Sequence, residues 1–182
     1  MHIASSQPNS ARIAPLAVLP VFFDLSGKRA VVIGGSEPAA WKIELLAAAG
    51  ARVEVFAEEV CHEVRDLLRR QTPHPDFMLD AENPPSPEGG EGDPGLPVGN
   101  VVLQERGWVP ADLDGAAIAI ADIEDDAEAE TFVAAAKAAG VPFNVIDRPE
   151  FCQFQFGGIV NRSPVVVGIS TAGAAPILGQ AV

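Results

Sequence analysis

The chain is short of cysteine and of basic side chains, and each shortage narrows the class of protein. Only two cysteines, Cys61 and Cys152, occur among 182 residues. They lie far apart, which favours a reducing cytosol over a disulfide framework. Twelve Lys and Arg against 25 Asp and Glu give a formal net charge of −13, which argues against a nucleic-acid-binding surface. We therefore expect a cytoplasmic protein with no nucleic-acid partner.

Long apolar stretches are also missing. No run reaches the ~18–20 residues that a membrane span requires, and the N-terminus has no basic region followed by an apolar core. We therefore expect neither a membrane partner nor a signal peptide. Hydrophobic residues at 48% and charged residues at 20% are nevertheless typical of a folded protein. A chain of this length forms about one domain, with or without an appendage.

The first part of the chain has the pattern of a βαβ unit. Strands are predicted over Arg29–Ile33 and Arg52–Phe56. Helices are predicted over Ala39–Ala49, with Gly50 placed as a C-terminal cap, and over Val60–Arg70. Strand, helix and strand within ~30 residues indicate a parallel sheet with a right-handed crossover.

Two segments have no such pattern. Residues 1–18 are expected to form a flexible leader, with ordered structure beginning near Leu19. Residues 73–99 are rich in Pro, Gly and acidic residues and contain no Lys or Arg, so they cannot bury enough apolar surface to offset the entropy lost on ordering. We expect a disordered insertion there, and a lid or docking arm is the alternative.

The later part of the chain continues the α/β pattern and then leaves it. The apolar run Ala116–Ala121 predicts a buried parallel strand. An alanine-rich helix follows, through about Ala139 with Gly140 as its stop. A further strand is predicted over Phe143–Ile146, ending at Asp147.

The last segment looks different. Apolar residues recur with period 2 in stretches of residues 154–169, and Asn161-Arg162-Ser163-Pro164 interrupts them. This pattern predicts an antiparallel appendage. The expected organisation is a Rossmann-like α/β domain over residues 19–150 and a small β-rich region over residues 151–182. The chain stops just after a helical pattern begins, so we expect the natural protein to be longer.

The first predicted strand runs into a glycine-containing turn, residues 34–39, and then into a helix. Small residues let the backbone approach a pyrophosphate, and a helix N-terminus supplies N–H groups with partial positive charge. The usual G-x-G-x-x-G/A pattern here reads GGSEPA, with Ser36 in place of the second glycine and Pro38 acceptable in a first helical turn. The pattern fits a dinucleotide site and fits equally well a tight turn that holds no ligand.

Several segments in the right order resemble one known family. They are Leu19–Phe23, Val31–Gly35, Ala39–Lys42, Leu45–Val55, Asn144–Asp147 and Asn161–Gly173. Together they are similar to the N-terminal domain of siroheme synthases, the precorrin-2 dehydrogenase and sirohydrochlorin ferrochelatase family. The N-V-x-D and R-S-P…S-T-x-G pieces downstream of a Rossmann half are the specific part of this resemblance.

The resemblance implies a fold, a cofactor and partners. The fold would be a Rossmann-like NAD domain followed by a small β-rich dimerisation region, with the family's C-terminal helical segment essentially absent. The activity would be NAD-dependent dehydrogenation of precorrin-2 in siroheme synthesis, with Fe²⁺ insertion as a further activity in which the metal is a substrate. A tetrapyrrole substrate and a homodimer are the implied partners.

The resemblance also implies where NAD is held. An acidic group after the second strand would bind ribose hydroxyls and repel a 2′-phosphate, which favours NAD over NADP. Three residues depart from the family pattern and bear on cofactor affinity: Ser36 replaces a glycine, Pro38 an aliphatic residue, and Ile123 a threonine. The candidate cofactor-binding residues are Gly34, Gly35, Ser36, Glu37, Pro38, Glu58, Glu59 and Ile123.

Asp147 is the candidate catalytic residue. It follows a predicted parallel strand, where open α/β sheets place their ligands. On the residues alone it is as readily a cap, whereas the resemblance assigns it to dehydrogenation and metal insertion, either as a base or as a group that orients the macrocycle. Because the inferred substrate carries several carboxylates, Arg148 and Arg162 are candidates to bind it, with solvated surface charges as the alternative.

Three further sets of residues have weaker interpretations. Ser170 and Thr171 are expected to cap a final helix, and Thr171 resembles a position that is phosphorylated in some family members. His2, His62 and His74 show no metal-ligand spacing, so no permanent metal site is expected. The competing functional hypotheses are a nucleotide-sensing Rossmann module without chemistry and a family member that has lost catalysis.

Overall fold

The computed structural model describes residues 13, 15–71, 100–162 and 164–170. The chain divides into two compact units, one of residues 23–155 and one of residues 1–22 and 156–182. Most of the expected leader, the insertion at 73–99, Thr171 and the start of a final helix lie outside the described residues.

The larger unit contains a five-stranded parallel sheet in the order β3-β2-β1-β4-β5. Its strands are β1 (Arg29–Ile33), β2 (Arg52–Phe56), β3 (Val101–Gln104), β4 (Ile118–Ala121) and β5 (Phe143–Val145). Its helices are α1 (Glu37–Ala48), α2 (His62–Gln71) and α3 (Asp126–Ala139), with short 3₁₀ helices at Pro110–Leu113 and Pro149–Phe151. The chain runs from β1 outward to β3, then returns to β4, so the order reverses between β1 and β4. This is the expected Rossmann-like α/β architecture.

Local sequence explains where the helices begin and end. Ser36 caps α1 by accepting a hydrogen bond from the Ala39 N–H at 3.4 Å, and Asp125 caps α3 through the Glu128 N–H at 2.9 Å. Gly140 ends α3 in the left-handed conformation at φ 68°, where glycine has no Cβ to clash. Residues at the boundaries therefore fix where α1 and α3 begin and where α3 ends.

The core lies on both faces of the sheet. α1 packs on β1, β2 and α2, and buries Ile43 and Leu46. On the α3 side, Phe132 is fully buried and meets the rings of Trp108 and Phe143 edge-on, with centroids 5.8 and 6.2 Å away. This double coverage explains why β4 is apolar at every position.

The predicted strands and helices match the structure apart from their boundaries. β1 and β2 have the predicted bounds, whereas β4 begins at Ile118 and not at Ala116, because the Ala116 N–H turns back to the Leu113 carbonyl at 3.1 Å. β5 ends at Val145, one residue short of the prediction. No strand or helix begins near Leu19 in the described residues.

The smaller unit contains an antiparallel hairpin of β6 (Gly158–Arg162) and β7 (Val165–Ile169). This confirms the predicted antiparallel appendage. Its side chains are largely exposed, including a run of three valines, Val165, Val166 and Val167. No helix in the part of the chain that the structure describes is long and apolar enough to cross a membrane.

Candidate functional site

The carboxyl ends of the five parallel strands form one edge, and the predicted cofactor turn lies at the end of β1. Gly34 adopts φ 95°, and a Cβ built there would lie 2.8 Å from the Asp122 Cβ and 3.0 Å from the Asp122 carbonyl oxygen. The Gly34 N–H donates to the Phe56 carbonyl at 2.9 Å. Glycine is therefore required both by the backbone conformation and by the close approach of the end of β4.

Gly35 is packed just as closely on its other side. A Cβ there would lie 2.6 Å from Val60 Cγ1 and 2.7 Å from the Glu59 carbonyl oxygen, and the Gly35 carbonyl accepts from the Cys61 N–H at 2.7 Å. Two consecutive glycines thus let the turn fit between the segment after β2 and the end of β4.

This turn fits the pyrophosphate of a dinucleotide. Ser36 directs its hydroxyl back onto the helix as the cap of α1, so the side chain that replaces the family's second glycine is used locally. Glu37 and Pro38 follow in the first turn of α1. Pro38 has no N–H, and that of Ala39 binds Ser36. Among the described residues, the backbone N–H groups of Gly35, Ser36 and Glu37 are the donors left to meet an anion at the helix N-terminus.

The predicted acidic residues lie one strand further along the same edge. Glu58 and Glu59 follow β2 and are exposed, and Glu58 Oε1 lies 3.9 Å from the position of a Cβ on Gly107. A carboxylate after the second strand is where a ribose diol is bound in this architecture. Ile123, in contrast, is 6% exposed and its side chain packs in the core on the α3 side, so it can face a cofactor only through its backbone.

Asp147 lies at the same edge, after β5. It is exposed and has φ 57°, the one positive φ among the described residues that are not glycine. Asp and Asn tolerate this left-handed region better than most residues, but it still carries strain. The conformation turns the chain sharply at the carboxyl end of β5 and presents the carboxylate at the edge.

Cys152 stabilises this turn through the contacts of its sulfur atom. Its Sγ accepts from the Val145 N–H at 3.3 Å and from Asn144 Nδ2 at 3.2 Å, and lies 3.2 Å from the carbonyl oxygens of Val145 and Arg148. Asn144, which is 7% exposed, also donates to the Phe154 carbonyl at 2.9 Å. Burial raises the pKa of the Cys152 thiol. Cys152 therefore stabilises the turn that carries Asp147.

Arg148 is used within the protein. Its guanidinium donates to Asp126 and to the Glu124 carbonyl, the latter at 2.9 Å, and it stacks on the Phe151 ring at 4.5 Å. These contacts tie the Asp147 turn to the start of α3. The sequence makes Arg148 a candidate to bind substrate, whereas its contacts in the structure hold the neighbouring turn in place.

Lys42 has no role in the interpretation of the sequence. It lies on α1, where burial lowers its pKa to about 8, against the opposing influence of Asp147 and Cys152. Its Nζ lies 4.1 Å from the centre of the Trp41 ring. Its place on α1 next to the β5 turn depends on tertiary packing, so no local motif would have revealed it.

The remaining predicted residues belong to other elements. Arg162 is exposed in β6 and donates to the Asn161 carbonyl at 3.0 Å. His62 begins α2 and contacts Glu63. Within the described ranges, no three His, Cys, Asp or Glu side chains are grouped so that they could hold a metal ion.

An open parallel sheet whose order reverses at a glycine turn, with a carboxylate after the second strand, defines a Rossmann-like dinucleotide-binding protein. Comparison with known proteins agrees. The sequence profile of a family described as "Putative NAD(P)-binding" matches residues 21–158. The chain belongs to this NAD(P)-binding family.

Individual relatives are more specific. Siroheme synthases of Pseudomonas aeruginosa (strain UCBPP-PA14) and Pseudomonas entomophila (strain L48) are 36% and 38% identical over 162 residues, covering 89% of this chain and 29% of each relative. This chain thus spans less than a third of their length. The solved structure of "SirC, precorrin-2 dehydrogenase" matches with a TM-score of 0.59 at 18% identity, over 90% of this chain and 67% of that one. These matches confirm the resemblance and the fold that were inferred from the sequence.

Proposed function

We propose that the protein dehydrogenates precorrin-2 to sirohydrochlorin with NAD as the hydride acceptor. One observation carries this proposal: the glycine turn of β1 and the exposed carboxylate of Asp147 lie at the same edge of one sheet. The identity of the substrate is inferred from the similarity to siroheme synthases and from the fold shared with a protein named precorrin-2 dehydrogenase.

The cofactor end of the site favours NAD. When bound there, NAD supplies a nicotinamide ring that accepts a hydride. The backbone of residues 34–37 would hold its pyrophosphate, and Glu58 or Glu59 would accept hydrogen bonds from the adenosine ribose. A 2′-phosphate would meet these two carboxylates, so NADP is disfavoured.

Asp147 would act on the substrate. Dehydrogenation removes one hydride and one proton from the tetrapyrrole, so a group that accepts the proton completes the reaction. The Asp147 carboxylate is exposed and its backbone is fixed by Cys152 and Arg148, so it is pre-positioned to take that proton. Insertion of Fe²⁺ into the product would release two pyrrole protons, which the same carboxylate would accept one at a time and pass to solvent, and this second activity stays a prediction.

The test is anaerobic incubation with precorrin-2 and NAD, following NADH by absorbance and sirohydrochlorin by its visible spectrum. One NADH should appear for each sirohydrochlorin. Tight NAD binding with no turnover would instead support the nucleotide-sensing module, and neither binding nor turnover would support a family member that has lost catalysis.

We also propose a homodimer in the cytoplasm. The hairpin β6–β7 exposes Val165 and Val167 on one face and Val166 on the other. Exposed apolar side chains on a two-stranded sheet with open edges favour pairing with a second copy. Cys61 and Cys152 are unpaired, as expected in a reducing compartment. Sedimentation of Val166→Glu beside the unaltered protein tests the dimer: the variant should shift toward monomer, and an unchanged mass would contradict this interface.

A further inference from the structure

Arg106 lies just beyond β3, at the same edge of the sheet as the glycine turn and Glu58. Its N–H donates to the Gln104 carbonyl at 2.7 Å, which forms a tight turn directly after the strand. Gln104 is paired in register with Phe56, the last residue of β2. Arg106 therefore stands over the ends of two neighbouring strands.

The guanidinium of Arg106 is fixed on three sides. One face stacks on the ring of Phe56, 4.8 Å from its centre. Nη1 and Nη2 donate to the two carboxylate oxygens of Asp112 at 2.8 and 2.7 Å, and Nη1 also donates to the Gly107 carbonyl at 2.9 Å. A two-pronged pair of this kind fixes the plane of the guanidinium as well as its position.

Asp112 is itself held firmly. Its Oδ2 accepts from the Val109 N–H at 2.7 Å, and its carbonyl accepts from Arg29 at 2.8 Å. The Arg106 guanidinium lowers the pKa of the Asp112 carboxyl, so the pair stays ionised at neutral pH. The partner that orients Arg106 is thus anchored by β1 and by its own 3₁₀ turn.

These contacts leave one surface of Arg106 to solvent. Phe56 covers one face and Asp112 and Gly107 occupy the terminal nitrogens, yet the side chain is 48% exposed. Phe56 covers only one face of the guanidinium, so the flat face opposite it is open to a ligand. Asp112 and Gly107 accept three of the five guanidinium N–H groups and fix their plane, and a flat cation held in this way is suited to stacking against an aromatic ring.

The order of the strands gives that ring an identity. The anion-binding turn is at the end of β1, the ribose-binding carboxylate follows β2, and Arg106 follows β3, in neighbouring positions of the sheet. Glu58 lies beside Gly107, the residue after Arg106. Phosphate, ribose and base follow one another in the same order in an adenosine nucleotide.

We infer that Arg106, held flat by Asp112 and Phe56, is the stacking platform for the adenine ring of the bound dinucleotide. This inference rests on the proposed use of NAD and adds a residue that binds the adenine end of the cofactor, remote from the nicotinamide ring. Asp112 acts through Arg106 and is a positioning residue.

The test compares ligand fragments by titration calorimetry and saturation-transfer NMR. ADP-ribose contains the adenine, and nicotinamide mononucleotide lacks it. Arg106→Met keeps a long side chain on Phe56 but removes the cation, and Arg106→Lys keeps the charge but removes the plane. Arg52→Ala is the control, since Arg52 is exposed at the start of β2 and donates to the Gly27 carbonyl at the opposite edge.

Both Arg106 variants should bind ADP-ribose and NAD roughly 3- to 10-fold more weakly, the usual worth of one stacking or cation–π contact. Binding of nicotinamide mononucleotide should change little, and Arg52→Ala should resemble the unaltered protein. Arg106→Met should also lower the melting temperature, because Asp112 loses its partner, so affinities are compared at a temperature at which both variants are folded. Full affinity in Arg106→Lys, an equal loss for nicotinamide mononucleotide, or a larger loss for NADP than for NAD would each overturn the stacking role.

The outcome is separable from that of the proposed function. A protein that binds ADP-ribose through Arg106 yet never oxidises precorrin-2 would refute the reaction and leave the adenine platform in place. A protein that forms NADH at full rate with unchanged affinity in both Arg106 variants would refute the platform alone. Absence of ADP-ribose binding in the unaltered protein would refute both.

Discussion

The turns after β1 and after β5 solve the same backbone problem in different ways. Both leave a parallel strand at its carboxyl end with a positive φ, 95° at Gly34 and 57° at Asp147. The first turn uses glycine, since the end of β4 approaches so closely that no side chain fits. The second carries a carboxylate through the same unfavourable region. Among the described residues other than glycine, this unfavourable conformation thus occurs only where a carboxylate follows the end of a parallel strand.

The two turns also differ in what holds them. Gly34 and Gly35 are fixed by close packing against Asp122 and Val60. The Asp147 turn is fixed by polar groups, with Cys152 beneath it and Arg148 tied to α3. The first turn is suited to bind a cofactor through its backbone, and the second to hold one side chain in a fixed place.

The largest effect on turnover is expected from substitutions that remove the carboxylate of the turn after β5. Asp147→Ala should lower turnover by roughly 10²–10⁴-fold, the usual worth of general acid–base help, with NAD affinity little changed. Asp147→Asn keeps the shape and the tolerance of positive φ but cannot accept a proton, and should lose a similar factor. Steady-state NADH formation measures both. Near-normal turnover in Asp147→Asn would mean that Asp147 orients or caps, and full activity in both would make it structural.

Asp147→Gly sharpens the comparison, because it removes the carboxylate and relieves the backbone at once. It should unfold at higher denaturant concentration than Asp147→Ala while being equally inactive. Stability that is equal in the two variants would show that positive φ carries no strain at this turn.

A somewhat smaller effect is expected from a substitution that adds a Cβ to the turn after β1. Gly34→Ala should destabilise the protein by about 2–5 kcal/mol, because it combines left-handed strain with overlap on Asp122, and should abolish NAD binding. Gly115→Ala is the matched control: Gly115 also has φ 72°, but nothing lies within 4 Å of its missing Cβ, so only the strain of about 1–2 kcal/mol applies. Denaturant unfolding and NAD titration measure the pair, and equal losses would mean that packing against Asp122 is not required.

The smallest effect concerns the lysine beside the second turn. Burial lowers the pKa of Lys42 to about 8 from its ordinary 10.5, so below pH 8 the folded protein holds a cation that it disfavours. As pH rises from 8 to 10.5 the folded state releases this proton first, and stability gains. Lys42→Met should therefore raise the melting temperature at pH 7, by an amount that shrinks across this window. The same substitution at exposed Lys137 is the control, and a pH-independent gain at Lys42 would contradict the assignment.

Much of the fold was predictable because its signals are local. β1, β2 and α3 are defined by apolar runs and by caps a few residues away, such as Gly140. β3 was not predicted, since Val101–Gln104 has only three apolar residues and follows the proline-rich segment. β5 was predicted one residue too long, because residue propensities do not indicate that Asp147 adopts a positive φ.

The position of the candidate site can be predicted from the sequence, and its contacts largely cannot. Gly34, Glu58 and Asp147 follow the rule that ligands meet the carboxyl ends of parallel strands. The cap role of Ser36 has a local signal, a serine shortly before a proline and a helix, but the family pattern draws attention only to the lost glycine. The ties of Arg148 to Asp126 and of Arg106 to Phe56 join distant elements, so only the folded chain reveals them.

The glycine turn has a consequence for the order in which the protein assembles. Its walls come from Val60, after β2, and from Asp122, after β4, so they exist only once both strands have docked on β1. A peptide of residues 29–48 would contain the whole glycine motif and still lack the cradle. Dinucleotide binding is therefore a nonlocal and late product of folding, and a bound dinucleotide reports that these three strands have come together.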